Sequence, residues 1–304
     1  MQNYSNKKKI GEGTYAVIYK AYNKDKKAVA IKRIKTTKHS MGVDISAVRE
    51  IKTLKQIHNR YVISLLDVFM YNDDIHIVLE YVNTDLECLI KNKELVFLPS
   101  DIKSWMLMIL KGVYALHEKF IIHRDLKPNN ILVTKGGIIK IADLGLARPI
   151  GNNMTSQAVT RWYRPPELLL GSKMYGTSVD MWSIGCIFAE LMLRVPLFAG
   201  ETDLEQLNLI FKVFGTPKEE EYPSIIELSG YIKFNEKDPI ILEDLFTAAS
   251  GDTLKLLKKF FIFDPNKRID CYEALKDEYF VNEPSPTSPE DLPFYETQDI
   301  NLDE

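Results

Sequence analysis

Between residues 8 and 35 apolar and polar positions alternate, with one glycine-rich turn in the middle, and the pattern predicts three strands. The period then lengthens. In "GVDISAVREIKTLKQI" (42–57), at about 100° per residue, Val43, Ala47, Ile51, Leu54 and Ile57 share one helical face. Glu50 falls in the middle of that face. A buried carboxylate costs several kcal/mol unless a cation pairs with it, so the pattern demands a partner elsewhere. Ile45 and Val48 fall on the far side beside Arg49, where a surface helix should be polar.

Two further strands follow, "YVISLLDVFMY" and "IHIVLEYV", separated by the turn signal "NDD". After Tyr81 helical spacing dominates. "SDIKSWMLMILKGVYALHEKF" (100–120) reads as a long helix with its cap at Pro99-Ser100. Two short strands, "NILVT" and "IIKIAD", flank Gly136-Gly137, and helices are expected near 178–195, 203–215, 250–262 and 270–279. The expected class is α+β and bilobal: a small β-rich N-lobe over about 4–82, holding one key helix, and a large α-helical C-lobe over about 83–280. Residues 281–304 form an acidic, proline-rich tail with too few apolar groups for a core of its own; a flexible linker is the default expectation for it, with a docking segment as the alternative.

The chain has 304 residues, which suits two packed lobes, and it is 45% hydrophobic, 27% charged and −3 in net charge. Residues 283–304 carry seven acidic side chains and no basic one, so the remainder is net positive. Nothing in that balance points to direct nucleic-acid binding. Three widely separated cysteines show neither zinc spacing nor a disulfide framework. No signal-peptide core or membrane-length apolar run is present, and an intracellular protein is expected.

The chemistry sits in a few ordered motifs. "KIGEGTYAVIY" places Gly11 and Gly13 between two strands, where the backbone can approach phosphates; strand rather than helix follows, which excludes a dinucleotide fingerprint. "VAIK" ends a strand with Lys32, a cation of the kind Glu50 needs. "IIHRDLKPNNILV" sets Asp125, Lys127 and Asn130 in a loop between a helix and a strand. The carboxylate can take a proton from a hydroxyl, the lysine can neutralise a phosphoryl group, and the amide can hold a divalent ion. "IADLGLAR" adds Asp143, a hard oxygen ligand, with Gly145 two residues on.

In this order the motifs match the protein-kinase signature set. With "RWYRPPE", the chain resembles a eukaryotic protein kinase over residues 4–280. Four departures are visible: Ala16 at the third glycine, Ile18 where valine is usual, Leu144 where phenylalanine is usual, and Pro165 where alanine is usual. The resemblance implies that Ile10, Gly11, Glu12, Gly13 and Ile18 cover ATP phosphates and base, with Ala30 and Leu132 bounding the adenine pocket. It also implies that Lys32 holds phosphates and pairs with Glu50. Leu79 would lie behind the adenine, Glu80 and Val82 would offer backbone contacts, and Asp85 would meet the ribose. Asp125 corresponds to the catalytic base, Lys127 to the charge-stabilising lysine, and Asn130 and Asp143 to the Mg²⁺ ligands. Glu167 with Arg268, and Asp180, correspond to structural anchors.

"DISAVRE" resembles the partner-binding helix of cyclin-dependent kinases, and implies a cyclin on helix 42–57 and substrates carrying Ser/Thr-Pro. "NTDLECLIKNK", "HRDLKPNN" and "ELMLRVPLFAGETDLEQL" are similar to the kinase subunit of general transcription factor IIH. That likeness implies nuclear location, partners among transcription factor IIH components, and phosphorylation of the RNA polymerase II C-terminal repeats. A cell-cycle cyclin-dependent kinase or a kinase that activates such kinases stands as the alternative. By the same resemblance Thr155 is the activation-loop phosphosite, and Arg49, Arg124 and Arg148 are the cluster that would bind its phosphate. Thr14 and Tyr15 resemble inhibitory sites of relatives and are read as plain loop residues.

Overall fold

The computed structural model describes residues 4–13, 16–35, 45–82, 84–152 and 154–295; Val43, Thr14 and Tyr15 lie outside them. The alternating stretch forms β1 (Ser5–Glu12), β2 (Ala16–Tyr22) and β3 (Ala28–Ile34). α1 (Ile45–Gln56), β4 (Leu65–Tyr71) and β5 (Asp74–Glu80) follow, and the five strands make one antiparallel sheet in the order β1-β2-β3-β5-β4. The strand expected from Tyr61 begins only at Leu65. The residues before it are used to join the lobes: Ile63 N–H donates to the Ile141 carbonyl at 2.9 Å, and Val62 bridges to the same residue.

Opposed residues of antiparallel strands share a face. The registers Gly11–Ile18, Ile18–Lys32 and Ala30–Leu79 therefore put all five of these residues on one side of the sheet. The other side buries Ala21, Val29, Ile31 and Val78 beneath Tyr4, Tyr19 and Phe69. α1 turns Ala47, Glu50 and Leu54 inward and rests against the turn Leu144–Leu146. Ile45 is 65% exposed, as the pattern implies. Val48 is not: it is half-buried, because it stands only about 60° around the helix from Ile51, at the edge of the packed face.

The remaining elements are mostly helical. β6 (Thr84–Asp85) leads into α2 (Leu86–Lys91), and α3 (Pro99–His117) follows. α3 is capped at Leu98, one residue before the expected position; Asp101 Oδ2 accepts from its N–H at 2.9 Å. β7 (Ile121–Ile122), β8 (Ile131–Val133), β9 (Ile139–Ile141) and β10 (Arg148–Pro149) form two small ribbons, β6-β8-β9 and β7-β10. Beyond them lie α4 (Pro166–Leu169), α5 (Ser178–Leu193), α6 (Asp203–Phe214), α7 (Leu242–Leu245), α8 (Gly251–Phe260) and α9 (Cys271–Leu275). α5 is apolar nearly all round and runs through the C-lobe core with Trp182 and Phe188 fully buried. Gly112 on α3 lets the lobes meet: a Cβ there would stand 2.8 Å from both Ile141 and the Tyr61 carbonyl.

The tail corrects the flexible-linker expectation over its described part. Thr287 Oγ1 donates to Asp101 Oδ1 at 2.6 Å, and Thr287 N–H donates to the Ser100 carbonyl. The Pro289 carbonyl fills the space a side chain at Gly137 would need, Leu292 is buried, and Phe294 packs against the C-lobe core. The segment lacks a core of its own but borrows one. Among the described residues no helix is long and apolar enough to cross a membrane.

Candidate active site

The cation that Glu50 requires is Lys32. Its Nζ lies 2.9 Å from both Glu50 oxygens and 2.8 Å from Asp143 Oδ1. Strand β3 presents the lysine, α1 presents the glutamate, and the C-lobe supplies Asp143 in a left-handed conformation at φ 56°. Burial pulls the Lys32 ammonium down, but the Glu50 and Asp143 carboxylates outweigh it and hold the group above its ordinary range. Asp143 is held below the usual carboxylate range: its own desolvation acts upward, and the Lys32 charge overcomes that. Gly145 keeps this corner open, since a Cβ there would stand 3.3 Å from Asp143 Oδ1.

Neither Gly11 nor Gly13 has a positive φ, and a Cβ at either would meet only ordinary contacts, nearest 3.8 and 3.9 Å. The lack of a side chain at Gly11 clears the face that Ile18, Ala30 and Leu79 line. Glu12 is engaged by Lys9 and by Lys35, at 2.5 and 2.6 Å, which draw its carboxyl down to about 2. Ile10, Val82 and Leu132 are half-buried. Glu80 follows Leu79 and so points its side chain off the cleft face, where it bonds Ser64 N–H and Lys140, each at 2.8 Å. Its backbone N–H is committed as well, to the Ser64 carbonyl at 3.1 Å, so only its carbonyl could serve a ligand. Asp85 caps α2 through Cys88 N–H at 2.8 Å, so one of its oxygens is committed to the fold, and burial pushes its carboxyl up.

The second cluster gathers on the loop between β7 and β8. Asp125 is buried, and its Oδ1 accepts from the Thr160 hydroxyl at 2.7 Å. Its Oδ2 takes Asn130 Nδ2 at 3.0 Å and Lys127 Nζ at 2.9 Å. Lys127 also donates to Thr160 Oγ1 at 3.1 Å. Asp180, fully buried at the start of α5, holds the loop by accepting from His123 N–H, Arg124 N–H and His117 Nε2 at 2.8, 2.9 and 2.8 Å. Asp125 N–H donates to His123 Nδ1, which leaves Nε2–H to donate to the Ala142 carbonyl at 2.9 Å and ties this loop to the segment after β9 that carries Asp143.

A divalent ion is implied by these residues. No group of three or more His, Cys, Asp or Glu able to hold a metal occurs among the described residues. What exists is the Asn130 carbonyl oxygen, left as an acceptor because Nδ2 serves Asp125, and an Asp143 oxygen beyond the one on Lys32. Two hard oxygens suit Mg²⁺, which keeps water and phosphate as its other ligands.

The predicted phosphate cluster is partly assembled. Arg124 donates to the Leu146 carbonyl and to Tyr175 Oη, and that hydroxyl donates to the Thr155 carbonyl at 2.8 Å. Arg49 on α1 and Arg148 on β10 flank the same turn and form no ion pair with a carboxylate among the described residues. Thr155 is exposed. Glu167 and Arg268 form the expected buried pair, with two contacts of 2.7 and 2.9 Å.

Sequence reasoning missed Thr160, which closes over Asp125, and Val159 beside it. Val159 adopts φ 69°, a conformation that β-branched residues avoid, and its carbonyl is held by Arg164 Nε at 3.1 Å and Nη2 at 2.9 Å. No sequence signal marks a left-handed valine.

Comparison with known proteins agrees with this geometry. The protein kinase domain model matches residues 4–280. The chain is 44% identical over 296 residues to serine/threonine-protein kinase KIN28 of Saccharomyces cerevisiae, covering 95% of this chain and 97% of that one. It is 44% identical over 308 residues to cyclin-dependent kinase 7 of Xenopus laevis, covering 96% and 88%. A chain of the CAK complex of Chaetomium thermophilum bound to ATP-gamma-S superposes with TM-score 0.89 at 41% identity, covering 96% of this chain and 95% of that one. A chain of the yeast RNA Pol II CTD kinase CTDK-1 complex gives 0.86 at 34%, covering 94% and 96%.

Proposed function

This chain belongs to the protein kinase family as a serine/threonine kinase, and we propose that it phosphorylates serine or threonine followed by proline as the catalytic subunit of a cyclin complex. The observation that carries the finer reading is the Val159 carbonyl. Thr160 touches Asp125, so Val159 borders the place where the residue after the target hydroxyl must lie. Its carbonyl is already occupied by Arg164 and cannot accept a substrate N–H. An ordinary residue at that place would leave a donor unpaired, whereas proline has none to leave.

The chemistry follows from the two clusters. Lys32, fixed by Glu50, positions the phosphates, and the cleft face of the sheet takes the base. Asp125 orients the target hydroxyl and receives its proton, while Lys127 offsets charge on the transferring group. Bound Mg²⁺, held by Asn130 and Asp143, would neutralise the phosphate oxygens.

The likenesses to the transcription factor IIH kinase subunit and to a chain of CTDK-1, the yeast RNA Pol II CTD kinase, support the polymerase repeats as the substrate. On the same reading the enzyme works in the nucleus with transcription factor IIH components. The test is labelling by the purified complex of polymerase repeat peptide, the same peptide with alanine for each proline, and histone H1. Repeat labelling that fails on the alanine peptide supports the reading. Strong labelling of histone H1 with none on the repeats overturns it.

A further inference from the structure

Three Ser/Thr-Pro dipeptides occur in the chain: Thr216-Pro217, Ser285-Pro286 and Ser288-Pro289. They differ in what their hydroxyls do. Thr216 Oγ1 donates to the Asn235 carbonyl at 2.8 Å and accepts from Lys237 N–H at 3.1 Å, so it is built into the fold. Ser285 donates to Glu283 Oε1 at 3.2 Å. Ser288 is exposed, and its hydroxyl makes no hydrogen bond among the described residues. Its backbone is already extended, at φ −58° and ψ 140°, as the residue before a proline prefers. Thr287 beside it is pinned to Asp101 and is not followed by proline.

We infer that Ser288 is a modification site for this enzyme's own activity, phosphorylated by a second copy of the complex; the inference rests on the Ser/Thr-Pro reading above. The reaction balances with ATP alone. A bond forms between the γ-phosphorus and Ser288 Oγ, the bond from that phosphorus to the bridging oxygen breaks, and ADP leaves. The hydroxyl proton passes to Asp125 of the acting copy and then to solvent. Transfer between copies fits the docking, because Ser100 and Asp101 on one side and Gly137 on the other hold residues 287–289 on the C-lobe of their own chain. The segment has only to lift from that docking for the cleft of another copy to take it. Thr155, by contrast, is followed by Ser156, so the same selectivity assigns that position to a different kinase.

The test mixes the active purified complex with a full chain carrying Asp125→Asn as acceptor, using labelled ATP and Mg²⁺, and maps phosphate by mass spectrometry. A Ser-Pro peptide in the same tube reports the underlying reading. The expected result is phosphate on Ser288 of the acceptor, lost with Ser288→Ala in the acceptor and kept with Ser285→Ala. Absence of phosphate at Ser288 while the peptide is labelled overturns the inference and leaves the reading standing; an unlabelled peptide overturns the reading. Phosphate at Ser288 when the Asp125→Asn chain is the only kinase present, or label on Ser285 with none on Ser288, also overturns the inference.

Discussion

Glu50 is 2% exposed and places both carboxylate oxygens 2.9 Å from the Lys32 ammonium. The contact joins α1 to the N-lobe sheet, and Asp143 completes it from the other lobe at 2.8 Å. The helix therefore has one inward position compatible with a paired charge, and that position also orients Lys32 toward the cleft.

Replacing Glu50 with glutamine takes one of the two anions from Lys32. A fully orphaned buried charge costs about 3–5 kcal/mol, and the retained Asp143 brings the expected loss to about 2 kcal/mol. Urea unfolding of the isolated chain measures it. The same variant is expected to lower kcat/KM for ATP, because Asp143 alone, from the other lobe, then holds the lysine and no group of the N-lobe fixes it to α1. Wild-type stability together with wild-type kcat/KM would show that the pair matters to neither.

Asp125→Asn isolates the proton acceptor. The variant amide can keep its oxygen toward Asn130 and Lys127 and turn its NH2 to Thr160, whose hydroxyl can accept instead of donating, at the loss of the long 3.3 Å bond from the Thr160 N–H. Folding and ATP binding are expected to survive, with kcat falling roughly 10²–10⁴-fold. A kcat within a factor of two of wild type would remove Asp125 from the proposed mechanism.

Much of this site could be read before the fold was seen, because catalytic side chains must recur at fixed offsets on short loops. Asp125, Lys127 and Asn130 sit within six residues and are brought together by a single turn of chain. The Glu50–Lys32 pair was legible for another reason: a charge in an apolar stripe advertises its missing partner. The β-rich and α-rich lobes followed from the change of period near Tyr81. What stayed hidden depends on distant backbone. Thr160 reaches Asp125 across 35 residues, and the Val159 conformation is opposed by its side chain and sustained by Arg164. The tail misled because its few apolar groups, Leu292 and Phe294, complete a core that belongs to other elements.

Asp180 gives a pH dependence. Burial acts to raise its carboxyl, but the His117 and backbone N–H bonds prevail and hold it below the ordinary value. A folded-state value below the unfolded one contributes stability above the unfolded value of about 3.9, and that stability is lost as pH falls through the folded value. Asp180→Asn is expected to lower stability at pH 7 and to flatten its decline between roughly pH 5 and pH 3. Parallel curves for the two proteins in urea melts across that window would contradict this.

Ile45 tests the proposed partner surface. It is 65% exposed on α1, whose opposite side carries Glu50. Ile45→Asp is expected to leave the isolated chain as stable as wild type, within about 0.5 kcal/mol, since little area is lost from the core. Binding to the cyclin subunit should weaken, and kinase activity of the mixture should fall unless cyclin is raised to saturation. Calorimetry of the two purified chains reads the affinity directly, and an unchanged dissociation constant would exclude Ile45 from the interface.

The proposed proline requirement rests on one carbonyl, and two variants separate its parts. Arg164→Leu removes both bonds to the Val159 oxygen and frees it to accept the N–H of an ordinary residue after the target serine. A net bond of about 1 kcal/mol to that N–H would raise kcat/KM for Ser-Ala roughly fivefold while Ser-Pro gains nothing. The preference should narrow accordingly, measured as the ratio of kcat/KM for paired peptides. Arg164 also touches Asp203, and Val159 retains its strained φ, so some loss of stability is expected in this variant. Val159→Gly supplies the control: glycine accepts φ 69° readily, Arg164 keeps the carbonyl, and the preference for proline should persist. A ratio unchanged by Arg164→Leu in an enzyme that still labels Ser-Pro would move the source of selectivity away from this carbonyl.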